Sequence, residues 1–295
     1  MRQSRYAVAF LAAVGLGQAV AVQASEACRP ERIAVQRSGD RALVDIAIDG
    51  RSAHMVLDTG ASQPLLLPDA PQRLGLPIAG NHPPEQRLSY GKPFEVRFAR
   101  ARHIAFAGLT RDVTDLPVAS GAATEAGVDG FFSDGRLRQA DFDLAHDRVE
   151  LYCDGVPAWT RDPDALSVPL EDGPRPFGEA LVNGQPVRVL FDTGSPISSM
   201  TLAAAARTGV SVAGAPDGAT AGVGMAIPLR TWTARIGGIS LGGRIAHDVA
   251  IQVVDKPNAS ADLIAGFDFF LRHRVWIDQK GRRLVVQATD DAGVF

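Results

Sequence analysis

The sequence predicts a mainly β protein made of two structurally duplicated lobes, and three observations support this fold class. The tripeptide Asp-Thr-Gly occurs twice, at residues 58–60 and 192–194. Each copy follows the second strand of a predicted hairpin, which turns at an Asp-Gly pair (49–50) in one half and an Asn-Gly pair (183–184) in the other. Most other segments are short, rich in alternating or β-branched residues, and separated by Gly or Pro. One aspartate on a turn is ordinary, but two in matched settings indicate a pair that meets.

The same order of elements is predicted in both halves. A hairpin leads into Asp-Thr-Gly, a short helix and further strands follow, and an apolar segment precedes the last strand. Because strands at this spacing occur in sandwiches and barrels alike, the pattern by itself does not choose between these folds. The helices and later strands are predicted at residues 68–74, 95–98, 103–106 and 142–151 in the first half and at 202–208, 232–236, 249–254 and 275–284 in the second.

The repeat extends nearly to the end of both halves. Residues 128–133 run parallel to residues 261–266, since both contain an aspartate followed by an apolar stretch. We therefore place lobe one at residues 29–155 and lobe two at residues 176–290, joined by a linker rich in Pro and Asp at 156–175.

The first 24 residues have the pattern of a secretory signal peptide. Two arginines precede an apolar stretch at 6–22, and Val22-Gln23-Ala24 suits cleavage at its end. A retained membrane anchor is the alternative, because the stretch is nearly long enough to span a bilayer, but the small residues favour removal. We expect a mature chain that begins at Ser25, is periplasmic or secreted, and has no membrane association after the signal is removed.

Composition narrows the function classes. A formal net charge of −3 without a basic stripe gives no reason to expect a nucleic-acid partner. The two cysteines, Cys28 and Cys153, predict one disulfide in an exported protein, with two separate thiols as the alternative. The six histidines lack a metal-ligand spacing, so we expect no metal and no cofactor.

Three segments carry a resemblance to a known family. VLDTGAS at 56–62, LFDTGSP at 190–196 and DLIAGFDFF at 262–270 are similar to motifs of the pepsin and retropepsin superfamily of aspartic proteases, particularly its bacterial, exported, retropepsin-like members with two lobes in one chain. The resemblance spans nearly all of the mature chain. It implies two retropepsin-like β-barrel lobes related by a pseudo-twofold axis, with catalytic Asp58 and Asp192 in a cleft between them.

The resemblance also implies the reaction. An aspartic endopeptidase hydrolyses peptide bonds in extended polypeptides, and two carboxyl groups a few ångströms apart can share the proton that this chemistry needs. The other motif residues suit that arrangement. Gly60 and Gly194 allow tight turns near the carboxylates, and the hydroxyl groups of Thr59 and Thr193 are expected to tie the two loops together.

The residue that follows each motif differs between the halves. Ser195 follows the second motif and Ala61 the first, and a hydroxyl group there is expected to donate to the carboxylate of Asp192 and stabilise its charge. We therefore expect Asp192 to be the more often ionised aspartate and Asp58 to be the more often protonated one.

A flap over the substrate is a further implication of the resemblance. Its candidate tips are Tyr90 and Gly91 in the first half and Gly224 in the second. The Tyr90 hydroxyl is suited to close over bound substrate, and a half-exposed loop tyrosine is the equally supported alternative.

Two other readings stay open at this point. Ser133 occupies the position where the second half has Gly266, which supports a non-catalytic peptide-binding module with the same two lobes. Lobes could also pair between chains, but a duplicated chain already carries both turns, so we expect a monomer acting on a polypeptide substrate.

Overall fold

The computed structural model describes residues 30–80, 83–89, 92–113, 115–122, 125–222 and 228–288. The proposed signal peptide, Cys28, Tyr90, Gly91 and Gly224 lie outside these residues. No helix in the described part of the chain is long and apolar enough to cross a membrane.

The described residues form 23 strands, three short α-helices and three 3₁₀ turns. The strands of the first half are β1 (Glu31–Ala34), β2 (Gln36–Ser38), β3 (Arg41–Ile48), β4 (Arg51–Leu57), β5 (Leu65–Leu66), β6 (Glu85–Ser89), β7 (Lys92–Arg100), β8 (His103–Phe106), β9 (Leu109–Asp112), β10 (Asp115–Ala119), β11 (Gly130–Phe132), β12 (Gln139–Asp143) and β13 (Arg148–Leu151). Those of the second half are β14 (Leu166–Pro169), β15 (Phe177–Val182), β16 (Gln185–Phe191), β17 (Ser199–Thr201), β18 (Gly218–Thr220), β19 (Leu229–Leu241), β20 (Arg244–Val254), β21 (Leu263–Ala265), β22 (His273–Asp278) and β23 (Arg283–Ala288). The helices are α1 (Ala70–Arg73), α2 (Leu202–Arg207) and α3 (Phe267–Arg272), and the 3₁₀ turns are Gly135–Arg138, Leu144–His146 and Ala158–Arg161.

Each half builds its own sheet. The first has the strand order β6-β7-β10-β5-β11-β4-β3-β8-β9, with β2 also paired to β3. The second has the order β15-β16-β21-β17-β20-β19-β18, and an additional pairing of β15 with β19 closes it into a barrel. The predicted fold class, mainly β with two duplicated halves, is confirmed.

The two hairpins that lead to the Asp-Thr-Gly turns are alike in their backbone. Asp49 and Gly50 have φ angles of 48° and 80°, and Asn183 and Gly184 have φ angles of 48° and 79°. Two consecutive positive φ angles are typical of a type I′ turn, whose twist matches that of the strands it joins. The sequence pairs Asp-Gly and Asn-Gly therefore determine both hairpins in the same way.

A third sheet joins the two halves. Its order is β1-β13-β12-β22-β23-β14, and the last strands of the two halves meet where β12 pairs antiparallel with β22. Asp141 on β12 is 2% exposed and accepts hydrogen bonds from Arg274 on β22 (2.6 Å) and from the indole N–H of Trp159 (3.0 Å). A buried carboxylate needs such partners, and this ion pair connects β12 to β22, where the halves meet.

The segment that the sequence analysis assigns to a linker, residues 156–175, is partly regular. It contains the 3₁₀ turn Ala158–Arg161 and strand β14, which pairs with β23 and so forms one edge of the joining sheet. Lobe boundaries at 29–155 and 176–290 stay a prediction.

Candidate active site

The two aspartates lie at equivalent places in the two sheets. Each follows the last residue of a strand, β4 for Asp58 and β16 for Asp192, and each of these strands pairs in parallel with a short buried strand, β11 or β21. The backbone N–H of Asp58 donates to the carbonyl of Phe132 and that of Asp192 to the carbonyl of Ala265, both at 2.9 Å. The parallel strand pair therefore holds each turn from behind.

Reciprocal hydrogen bonds between two threonines connect the turns. The backbone N–H of Thr59 donates to the hydroxyl oxygen of Thr193, and that of Thr193 donates to the hydroxyl oxygen of Thr59, both at 3.1 Å. Each hydroxyl donates in turn to a carbonyl of the other half, Phe191 (2.8 Å) for Thr59 and Leu57 (2.7 Å) for Thr193. Both threonines are buried, so the network locks the turns together out of contact with water.

The glycine of each turn packs against the aspartate of the other lobe. A Cβ atom added to Gly60 would lie 2.3 Å from the Cγ atom of Asp192, and one added to Gly194 would lie 2.6 Å from the Cγ atom of Asp58. A side chain at either position would therefore occupy the space of the opposite carboxyl group. Glycine is required here for close approach, not for an unusual φ angle.

The two carboxyl groups share a hydrogen bond. Burial, the charge of Asp192 and this hydrogen bond raise the pKa of Asp58 well above its ordinary value, although the N–H of Ala61 donates to it at 2.8 Å. Burial also raises the pKa of Asp192, but the hydrogen bond from Asp58, the N–H of Gly194 (2.9 Å) and a nearby lysine charge oppose this rise. The two carboxyl groups therefore share a proton, and the groups around Asp192 favour its charged form.

The direction of this asymmetry agrees with the expectation from the sequence, but the expected cause is wrong. The hydroxyl of Ser195 donates to the carbonyl of Ile197 at 3.2 Å and so is not directed at the carboxylate of Asp192. Ser195 supports the turn, since its own carbonyl accepts the N–H of Phe267 at 2.7 Å.

The charge that favours ionised Asp192 is that of Lys256. Sequence reasoning missed this residue, which lies two positions after β20, in the wall of the cleft. Leu66 pairs with Val118 in the first half and Met200 pairs with Val253 in the second, so the position equivalent to Lys256 is Gly121. A repeat alignment extended through these strands would have shown a lysine opposite a glycine.

Ser133 and Gly266 occupy equivalent positions behind the two turns, but they contact their turns in different ways. Ser133 donates its hydroxyl to the carbonyl of Ala61 at 2.7 Å, which is the carbonyl that corresponds to Ser195 in the other half. At Gly266, an added Cβ atom would lie 2.6 Å from the backbone carbon of Ile197. The serine thus replaces a backbone hydrogen bond in lobe one, and the backbone N–H of Asp58 is held at the same distance as that of Asp192.

A cleft of about 630 Å³ opens over the aspartates. Residues from both halves line it, and its walls combine apolar, small polar and basic side chains. Those used below are Asp58, Asp192, Ser62, Gln63, Arg175 and Lys256.

The predicted flap tips, Tyr90, Gly91 and Gly224, stay predictions because they lie outside the described residues. Strands β6 and β7, which lead to Tyr90 and Gly91, are described and pair antiparallel from Glu85 and Val96 to Ser89 and Lys92.

Comparisons with known proteins agree with this geometry. No curated protein sequence matches the chain. Among solved structures, the chain is similar to the crystal structure of an aspartic proteinase from Irpex lacteus, with a TM-score of 0.54 and 13% sequence identity, covering 89% of this chain and 98% of that one. That likeness shows the fold. The family model described as aspartyl protease matches residues 44–132 and 179–269, together more than half of the chain, and the chain therefore belongs to the aspartyl protease family.

Proposed function

We propose that the protein is an aspartic endopeptidase that hydrolyses peptide bonds in extended polypeptides with Asp58 and Asp192 as its catalytic residues. The observation that carries this proposal is the hydrogen bond between the two half-buried carboxyl groups, at the base of an open cleft. A shared proton supplies an acid and a base in one place, and membership of the aspartyl protease family supports this use of the pair.

The mechanism follows from the charge asymmetry of the pair. Ionised Asp192 accepts a proton from a water molecule whose oxygen attacks the carbonyl carbon of the peptide bond. Protonated Asp58 donates a hydrogen bond to the carbonyl oxygen and stabilises the charge that develops there. A proton then passes to the amide nitrogen, the C–N bond breaks, and an amine and a carboxylic acid are released.

The setting proposed for this activity comes from the sequence. We propose an exported protein, periplasmic or secreted, which loses residues 1–24, acts as a monomer without a cofactor, and contains a Cys28–Cys153 disulfide. Cys28 lies outside the described residues, so the disulfide stays a prediction. No free cysteine occurs in the described part of the chain.

The test is cleavage of a mixed peptide library between about pH 3 and pH 7 by the mature protein and by the variants Asp58→Asn and Asp192→Asn. Each variant is expected to lose activity by about 10³-fold or more, because an amide can neither accept nor share the catalytic proton. Asp112→Asn is the matched control, since its side chain is 93% exposed at the end of β9, and it should retain full activity.

A wild-type protein that is folded but cuts no peptide at any pH would contradict the proposal. If that protein still bound peptides, the peptide-binding module would be the better description. Circular dichroism and thermal unfolding of each variant separate loss of chemistry from loss of fold.

A further inference from the structure

A pocket of about 490 Å³ lies beside the catalytic cleft, and residues of lobe one line it. Ser62 and Gln63 are exposed and line both the pocket and the cleft, whereas Asp58 and Asp192 line the cleft only. A polypeptide that extends from the cleft over Ser62 and Gln63 therefore reaches the pocket with an outer residue, beyond the residues that flank the cleaved bond.

The charged lining of this pocket departs from the repeat. When the alignment behind the two active-site turns is continued, Asp134 and Arg136 fall opposite Phe267 and Phe269 of helix α3. Both phenylalanines are buried in the core, whereas Asp134 and Arg136 line the pocket. The scaffold that the two lobes share therefore does not require charged side chains at these positions.

The carboxylate of Asp134 contacts two arginines at the pocket. Its Oδ1 atom accepts hydrogen bonds from the backbone N–H (3.0 Å) and the Nε (3.1 Å) of Arg136, and its Oδ2 atom lies 3.2 Å from the Nε of Arg111. Arg136 also donates to the carbonyls of Phe106 (2.7 Å) and Ala107 (3.1 Å). These contacts hold Arg136 and Asp134 in place, and Asp134 orients one side of the Arg111 guanidinium.

The positive and negative groups of this cluster differ in their exposure. The side chain of Asp134 is 7% exposed, whereas that of Arg111 is 46% exposed, so the pocket presents the arginine to a ligand and not the carboxylate. A guanidinium has five N–H donors, and the contact with Asp134 is made through Nε, on one side of the group. The charged side chains that line the pocket are Arg111, Asp134 and Arg136, which together carry one net positive charge.

We propose that this pocket is a subsite for a carboxylate group of the substrate, which Arg111 binds at a position beyond the residues that flank the cleaved bond. This inference rests on the proposed endopeptidase function. A guanidinium matches the planar geometry of a carboxylate and binds it through charged hydrogen bonds. Ser62 and Gln63 add hydrogen-bond donors at the same pocket, and Leu109, which is 59% exposed, offers an apolar contact to the methylene groups of a glutamate.

The carboxylate belongs either to an acidic side chain or to the end of the polypeptide, and two sets of peptides distinguish these sources. The first set starts from a cleavable peptide that contains no acidic residue and has acetylated and amidated ends. Glu and Gln are placed in turn at each position outward from the cleaved bond. The second set compares free and amidated carboxyl ends in peptides of increasing length.

We expect a preference for the carboxylate at one outer position. The values of kcat and KM are measured at pH 5 to 6, where a glutamate with an ordinary pKa of about 4.3 is mostly ionised. At that position the kcat/KM of the carboxylate peptide should be on the order of tenfold higher than that of its neutral partner, mainly through KM, because charged hydrogen bonds are added on binding.

Variants assign that preference to Arg111. Arg111→Gln should reduce the preference for the carboxylate peptide severalfold, and Arg111→Lys should retain part of it, because lysine keeps the charge but not the planar fork of donors. Arg37→Gln is the matched control, since the side chain of Arg37 is 47% exposed, is paired with Asp147, and lies outside the residues that line the cleft and the pocket. Its preference should equal that of the wild type.

Three results would overturn the subsite. The first is equal cleavage of carboxylate and neutral peptides at every position and length. The second is a similar preference at all positions, which would indicate a general attraction of negative charge. The third is a preference that Arg111→Gln leaves unchanged, or an equal loss for both peptides of a pair in that variant.

Binding measurements separate this inference from the function on which it rests. Fluorescence anisotropy of labelled peptides with Asp192→Asn gives the ratio of the dissociation constants for Glu and Gln peptides without any cleavage. A Glu preference in binding that depends on Arg111 would support the subsite even if the folded wild type cut no peptide, and that failure would count against the endopeptidase alone. Cleavage of the neutral peptide without any preference would support the endopeptidase and overturn the subsite.

Discussion

The active-site turns of the two lobes have nearly the same backbone but different electrostatic surroundings. In both, an aspartate follows a strand held by a parallel neighbour, a threonine crosses to the other lobe, and a glycine packs against the opposite carboxyl group. Beyond these shared contacts, lobe two has Lys256 where lobe one has Gly121. Arg175 lines the cleft, whereas Arg41, its equivalent 134 positions earlier, donates to the carbonyl of Gly194.

The difference shows how a duplicated scaffold gives its two aspartates different surroundings. The duplicated contacts force the carboxyl groups together, which makes them share a proton whatever surrounds them. The charge of Lys256 adds to the groups that favour the ionised form of Asp192. Symmetry therefore explains the pair, and the departures from it explain the roles that we propose for Asp58 and Asp192.

The largest expected effect on stability concerns Gly266 and Ser133, which occupy equivalent positions behind the two active-site turns. Gly266→Ala should lower the free energy of unfolding by about 2–4 kcal/mol, because the new Cβ atom would meet the backbone of Ile197 and force it to move. Ser133→Ala keeps a Cβ atom that the fold already accommodates and loses one hydrogen bond to Ala61, so its cost should be only about 1 kcal/mol.

Urea unfolding of both variants measures this difference. Equal decreases in the free energy of unfolding would mean that the backbone near Ile197 shifts easily to accept a side chain. The difference between Gly266 and Ser133 would then have no steric explanation.

A smaller loss of stability is expected from changes to the two threonines, whose contacts are the same in both lobes. Thr59→Val and Thr193→Val should each cost about 1–3 kcal/mol, because each leaves a buried carbonyl and a buried N–H of the other half without a partner. Valine has nearly the volume of threonine, so packing is preserved. Thr110→Val on the exposed strand β9 is the control and should leave stability nearly unchanged.

The double variant sharpens this comparison. Since each hydroxyl serves the N–H of the other threonine, the cost of both changes should be less than the sum of the single costs. Simple additivity would show that the two threonines act independently.

The smallest expected effect concerns pH. The positive charge of Lys256 favours ionised Asp192, so Lys256→Gln should raise the pKa of Asp192 and move the acidic limb of the activity profile to higher pH. The profile is measured as kcat/KM against pH on a cleavable peptide that contains no acidic residue. Lys280→Gln provides the reference, since the side chain of Lys280 is 74% exposed. If the acidic limb of the profile stayed in place or moved to lower pH, the claim that the charge of Lys256 favours ionised Asp192 would be contradicted.

Much of the scaffold is predictable because its signals are local. Asp-Gly and Asn-Gly pairs specify type I′ turns through the φ angles that these residues tolerate, and the predicted helices at 68–74 and 202–208 overlap α1 and α2. The repeated Asp-Thr-Gly motif indicates two equivalent turns, and duplicated chains place equivalent turns around a twofold axis. The family membership and the mainly β fold follow from these features.

The sequence by itself therefore determined the duplication, the hairpins and the aspartates that meet. Only the tertiary structure decided which charges surround them, because Lys256 and Arg175 are brought to the same cleft from positions far apart in the chain. The same holds for the pairing of β12 with β22 that joins the halves. Local patterns record backbone preferences and burial, whereas these contacts depend on how distant segments pack, which no local pattern contains.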